Sequence, residues 1–228
     1  MKITKKISPA ALAGMAAVIV SSQAHAASLG LSNTTPPDIQ APNVTVTYNH
    51  TTQAFSAIDN SLATFSVDTD GVAGANYYIK NGTFTVTAQI DNSGVLSPGG
   101  TVTISGSKLV DSSMALVSLL PTLTGTLTAF GFPDAPGGNI FEFKFTSAAG
   151  TLTGSPISFP LDGGIIINAV GSGFDGRFGQ DFRTADSAGT ADTFAQGASV
   201  PTPAAFSGGL LALGALAIRR GRQLISRH

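Results

Sequence analysis

The feature that most constrains the fold is a strict alternation of apolar and polar residues in several short segments. In residues 83–90 every second residue is apolar, and most of the others are threonine; residues 101–105 repeat this pattern. In residues 139–145, three phenylalanines alternate with Glu142 and Lys144. Successive side chains of a strand point to opposite faces, so each segment predicts a strand with one buried face and a well-defined register.

Further strand candidates follow at short intervals, separated by residues that favour turns. They are residues 44–48, 54–58, 63–67, 77–80, 116–119, 123–130 and 164–170. Because the body of the chain lacks a sustained helical period, we expect an all-β antiparallel single domain over residues 43–183. A β-sandwich is the first expectation, and a barrel-like closed sheet is the alternative.

The N-terminus has the pattern of a secretory signal peptide. Three lysines within the first six residues precede an apolar stretch at 10–20, and Ala24 and Ala26 supply the small residues that a signal peptidase reads. We predict a signal helix in residues 1–26 and cleavage after Ala26. An uncleaved anchor is the alternative, but the apolar stretch is shorter than the ~20 residues needed to span a bilayer.

The C-terminus is also typical of a transport signal. Val200, Pro201, Thr202 and Pro203 precede an uncharged apolar segment at 204–218, which predicts a short transmembrane helix. The residues that follow it are basic, and positive charge favours the cytoplasmic side of a membrane. These basic residues are Arg219, Arg220 and Arg222.

The order of prolines, apolar helix and arginines at residues 200–222 resembles the PEP-CTERM sorting signal of Gram-negative bacteria. Thr202 occupies the position at which the usual motif has glutamate. The resemblance implies processing by a membrane peptidase, exosortase, and delivery to the cell surface or extracellular matrix. Residues 223–228 would then form a cytoplasmic tail, and a signal peptide at the other end is what the family requires.

Two segments between these signals and the domain are predicted to be irregular. Residues 27–42 contain several prolines and predict an extended leader. Residues 184–199 are rich in alanine, glycine, serine and aspartate, a composition typical of a flexible linker.

Charge and cysteine content exclude several classes of protein. All 13 acidic residues lie between Asp38 and Asp192, where only five residues are basic, so the body has a net charge of about −8. This charge, and the absence of a basic patch, argue against nucleic-acid binding. The chain has no cysteine, so its stability must come from its core rather than from disulfides.

The sequence suggests one metal site, for calcium. Asp68 and Asp70 stand two residues apart before Gly71, as in a loop that wraps a hard cation. The third ligand and the bidentate glutamate of a complete calcium loop are missing. The favoured interpretation is that these aspartates form a turn.

No set of residues predicts catalysis, and we assign no catalytic residue and no obligatory cofactor. His50 is the single histidine of the body, and no Gly-x-Ser-x-Gly segment accompanies it, so we interpret it as a surface turn residue. Glu142 is the one glutamate available as a glycosidase acid. Its alternation with Lys144 favours a solvated strand face instead.

Phe174, Phe178 and Phe182 recur at a helical spacing, but glycines lie between them. We therefore expect aromatic residues that close the core from a loop, rather than one face of a helix.

These observations favour an exported, non-enzymatic protein of the cell surface or extracellular matrix, structural or adhesive in role. The alternatives are a calcium-dependent or glycan-binding module and a secreted polysaccharide hydrolase. The expected partners are the two processing peptidases, the membrane through residues 204–218 before processing, and an exopolysaccharide.

Overall fold

A computed structural model describes residues 27–72, 74–133 and 139–196 of the chain. These residues form thirteen antiparallel strands and one short 3-10 turn at Thr151–Thr153. In chain order the strands are β1 Asp38–Asn49, β2 Ala54–Asp59, β3 Phe65–Asp68, β4 Tyr77–Lys80, β5 Thr83–Gln89, β6 Thr101–Ser105, β7 Lys108–Asp111, β8 Leu116–Leu119, β9 Thr122–Gly131, β10 Ile140–Ala149, β11 Gly163–Asn168, β12 Phe182–Arg183 and β13 Gly189–Ala195.

Eight strands close into a barrel. Their order is β13-β11-β10-β9-β6-β5-β2-β1, and β1 pairs with β13 to complete the ring. The prediction of an all-β antiparallel domain is confirmed. The sheet is a closed barrel rather than the sandwich of two separate sheets that we expected first. Closure pairs both edges of every one of these strands, which removes exposed edges.

A second group of strands branches from the barrel wall. The beginning of β1 pairs with β3, and the sheet continues through β4 and β7 to β8 at its edge. The short strand β12 pairs with the end of β1. The long β1 therefore belongs to both the barrel and the branch.

Phenylalanine dominates the interior. Phe141, Phe143 and Phe145 of β10 are all buried, as their alternation predicts. A buried phenylalanine contributes about 1.5–3 kcal/mol relative to an exposed one, so these three fix the register of β10 strongly.

The expectation for the three phenylalanines is confirmed for Phe174 and Phe178, which lie in the loop between β11 and β12, whereas Phe182 begins β12. All three are buried, and the ring of Phe174 lies 5.0 Å from that of Phe141. The ring of Phe178 meets that of Tyr48 edge-on at 4.9 Å. The loop therefore closes one end of the core with aromatic rings.

Two predicted boundaries are wrong. Residues 189–195 are not part of a linker at 184–199, because β13 pairs with both β1 and β11 and completes the barrel. At the other end, β1 begins at Asp38, inside the predicted leader at 27–42. The folded domain is therefore longer at both ends than the predicted range of 43–183.

The two predicted helices, in 1–26 and 204–218, lie outside the described residues. Among the residues that the structure describes, no helix has the length and apolar character needed to cross a membrane.

Candidate functional site

The two predicted calcium ligands form a turn. Asp68 Oδ1 accepts hydrogen bonds from the backbone amides of Asp70 and Gly71, both at 3.0 Å. Asp70 Oδ1 accepts one from Val72 at 2.9 Å, and its Oδ2 accepts one from Asn76 Nδ2 at 2.9 Å. The bond from the Asp70 amide lowers the pKa of Asp68 below its ordinary value. These contacts match the turn-forming interpretation of the two aspartates.

Asp68 has an acidic neighbour that the sequence did not reveal. Asp38 of β1 lies directly opposite it, and Asp192 of the adjacent β13 lies close by. Burial raises the pKa of Asp38 to about 7, and the charges of Asp192 and then Asp68 add to the rise. Within the described ranges, no three His, Cys, Asp or Glu residues are arranged to hold a metal ion. Burial, together with the charges of the two neighbouring aspartates, therefore keeps the Asp38 carboxyl group protonated up to nearly neutral pH.

His50 is a surface residue, as predicted. Its side chain is 44% exposed, and Nδ1 lies 2.8 Å from Asp181 Oδ1, which also accepts a hydrogen bond from the His50 amide at 2.8 Å. The His50 side chain, and secondarily that amide, lower the pKa of Asp181. On β2, the Ser56 hydroxyl pairs with Thr47 Oγ1 at 2.6 Å. The contacts of Ser56 and His50 thus do not form a Ser-His-Asp relay.

The groove beside this pair has a volume of about 440 Å³. Its floor and walls come from the end of β1, from β2 and from β12. The lining residues are Thr47, Tyr48, Asn49, Ala54, Ser56, Asp181, Phe182 and Arg183. Hydroxyl, amide, carboxylate and guanidinium groups thus converge there, which suits a small polar ligand.

Glu142 does not lie on a solvated strand face, so that prediction is wrong. The residue is only 5% exposed, although it points away from the phenylalanine face of β10. The chain after Ala26 covers it. Ser28 Oγ donates to Glu142 Oε2 at 2.9 Å, the Leu29 amide donates to the same oxygen, and the Gly30 amide does so at 3.2 Å. The Leu31 amide donates to Oε1 at 3.3 Å.

Glu142 and a glycine of the neighbouring strand, Gly131, together form the site on which the leader packs, which we call the leader seat. Gly131 of β9 lies directly opposite Glu142. A Cβ atom at Gly131 would collide with the carbonyl oxygen of Ala27 and would lie 2.9 Å from Leu29 Cγ. The leader therefore packs against the backbone of Gly131, and it is hydrogen-bonded to the carboxylate of Glu142 on the neighbouring strand. A carboxylate that accepts several backbone amides is engaged structurally, which leaves Glu142 poorly placed as a glycosidase acid.

Sequence reasoning missed this seat because its contacts are non-local. Glu142 lies 111 to 114 residues from the groups that it binds. The one local signal is that Glu142 is the only glutamate in the chain, and that signal does not indicate what it binds.

The predicted residues of the two transport signals lie outside the described part of the chain. They are Ala24, Ala26, Val200, Pro201, Thr202, Pro203, Arg219, Arg220 and Arg222.

Comparison with known proteins gives no match: no family model, no curated protein and no solved structure is significantly similar to this chain.

Proposed function

We propose that this chain is an exported structural or adhesive protein of the cell surface or extracellular matrix, processed at both ends. The observation that carries the proposal is the pair of terminal signals, an N-terminal signal peptide and the PEP-CTERM-like segment at 200–222. An exosortase-type peptidase would act on the second signal, and residues 204–218 would hold the precursor in the inner membrane until then.

The position of the leader supports the N-terminal half of this proposal. Cleavage after Ala26 would keep Ser28, Gly30 and Leu31, whose hydrogen bonds to Glu142 attach the leader to the barrel. The cysteine-free barrel also suits an exported protein that relies on its core for stability.

The intact mass of the mature protein from a Gram-negative host that carries an exosortase tests both cuts at once. We expect a chain that begins at Ala27 and has lost Arg219, Arg220 and Arg222. Leucine at both Ala24 and Ala26 should block the first cut, and glutamine at the three arginines should impair the second. Glutamine at Arg177 and Arg183 of the domain is the matched control and should leave both cuts unchanged.

A full-length mass, with the protein recovered from the cytoplasm, would reject the proposal. Retention of the N-terminal segment alone would reject the signal-peptide assignment, and retention of the arginines alone would reject the sorting assignment.

The groove beside β12 favours a second candidate, a glycan-binding module. Its hydroxyl, amide and charged groups resemble those that orient small polar ligands. Titration calorimetry with the exopolysaccharide of the host tests it, with Arg183→Ala as the variant expected to lose binding. Heat changes that are equal for both proteins would remove this candidate. The turn at Asp68 and Asp70 adds no support for calcium dependence, and the covered Glu142 adds none for a hydrolase.

A further inference from the structure

The face of the branch sheet at β4, β7 and β8 carries two lysines side by side. Lys80 of β4 lies directly opposite Lys108 of β7, and Lys108 lies directly opposite Leu119 of β8. Residues opposite one another in antiparallel strands share a face of the sheet. Two positive charges and a leucine therefore form one row at the outer edge of the domain.

The two opposed lysines lower the stability of the domain when nothing is bound to it. Like charges directly opposite in a sheet destabilise it, and the domain has an excess of acidic residues that could have neutralised them. In the described residues, however, the ion pairs are those of His50 with Asp181 and Arg183 with Asp186. Lys80 Nζ approaches only Thr64 Oγ1, at 3.5 Å, and the ring of Tyr78, at 5.3 Å. No carboxylate among the described residues therefore pairs with either lysine.

Exposed apolar side chains surround the same edge. Met114, Leu116, Leu119 and Leu120 are each 57–69% exposed. Met114 and Leu120, which lie just before and just after β8, also have left-handed backbone angles, φ +67° and +49°, which are uncommon for residues of their size. Four exposed apolar residues on one strand and its flanking turns mark this edge as an interaction surface.

We propose that this β4–β7–β8 edge docks the domain on an anionic lipid bilayer. Lysines beside exposed leucines match a surface that has anionic headgroups above an apolar layer. A second copy of the chain, paired edge to edge, is a poorer occupant, because it would bring the lysines of both copies together. The negative charge of the rest of the domain favours the orientation in which the lysine edge faces the membrane. The proposal is independent of the terminal processing, since it concerns the barrel domain alone.

Vesicle co-sedimentation of residues 27–196 tests the proposal. The barrel, its core and the β4–β7–β8 edge all lie in this segment, and circular dichroism with thermal unfolding establishes that it is folded before it is used. We expect binding to vesicles of phosphatidylcholine with phosphatidylglycerol, little binding to phosphatidylcholine alone, and weaker binding at high salt. Glutamine at both Lys80 and Lys108 should lower the partition coefficient about thirty-fold, which corresponds to about 2 kcal/mol.

Matched variants separate the edge from the rest of the surface. Serine at Leu116 and Leu119 should also weaken binding, whereas Leu161→Ser, at an equally exposed leucine elsewhere, and Arg177→Gln should not. Circular dichroism and thermal unfolding of each variant establish that it is folded. Absence of binding to anionic vesicles by the wild-type domain would overturn the proposal. Equal binding by the edge variants would also overturn it, as would a concentration-dependent dimer that the leucine variants abolish while no lipid binds.

Discussion

Two acidic residues in this domain make the same kind of hydrogen bond in opposite settings. Asp68 accepts backbone amides two and three residues further along the chain, at the partly exposed end of β3. Glu142 is buried and accepts amides from a segment more than a hundred residues away. A local carboxylate–amide contact forms a turn and can be predicted from sequence. The non-local one attaches a whole segment to the barrel, and we expect far more stability to depend on it.

The largest effect should come from Glu142→Ala. Hydrogen bonds to a charged group contribute about 1.5–3 kcal/mol each, and the amides of residues 29–31 lose their common acceptor together. Since the leader can lift off and meet water, we expect a loss of about 3 kcal/mol in the free energy of unfolding. Urea denaturation measures this loss, and hydrogen exchange should show faster exchange at the amides of Leu29, Gly30 and Leu31.

Lys144→Ala is the matched control for this change, since Lys144 lies two residues further along the same face of β10. It should leave exchange in the leader unchanged. A stability for Glu142→Ala within error of this control would show that the two acidic residues do not differ as argued.

Gly131→Ala should disturb the leader seat by steric overlap rather than by the loss of a charged hydrogen-bond acceptor. Its Cβ would enter the space of Ala27 and Leu29, so the leader or β9 must move. Overpacking of this kind costs about 1–3 kcal/mol. Thermal unfolding should show a loss near 2 kcal/mol, with faster exchange in the leader as for Glu142→Ala.

Gly179→Ala provides the control, because a Cβ there meets no atom within 4 Å. If both alanines are equally tolerated, the leader does not pack on Gly131.

Asp38, which lies opposite Asp68 on the neighbouring strand, makes the stability of the domain depend on pH. Its folded-state pKa of about 7 lies above its ordinary value of 3.8, so the folded protein holds this proton more tightly than the unfolded chain. The stability due to this group is therefore full below pH 3.8 and is lost as the pH rises to about 7. Asp38→Asn should raise the Tm at pH 8 and leave it nearly unchanged at pH 3.5. The gain at pH 8 should be about 1 kcal/mol, because solvent screens a half-exposed carboxylate.

A thermal scan at the two pH values checks the sign of this effect. Equal shifts at pH 3.5 and pH 8 would show that the asparagine acts through packing rather than through the proton.

The strand bounds that sequence predicts best are those set by local features. The bounds of β6 agree with the alternating segment at 101–105, and those of β4 and β8 agree with the segments at 77–80 and 116–119, which are delimited by flanking turn residues. β13 was missed because residues 189–195 are mostly small or polar. Their strand structure depends on pairing with β1 and β11 on both sides. Barrel closure and the Glu142 seat both come from contacts of this non-local kind.

The smallest effect should come from Asp68→Asn, which removes the charge but keeps an oxygen that can accept the amides of Asp70 and Gly71. The turn should therefore persist, and the free energy of unfolding at neutral pH should change by no more than about 0.5 kcal/mol. The effect should appear instead as a lower pKa of Asp38 on the neighbouring strand, because one of the charges that raises this pKa is gone. Carboxyl NMR titration of Asp38 should show a lower midpoint in the variant. A midpoint that does not move would mean that burial and Asp192 alone set this pKa. A large loss of stability would mean that the turn needs the charge itself, so that a local carboxylate would matter as much as the buried one.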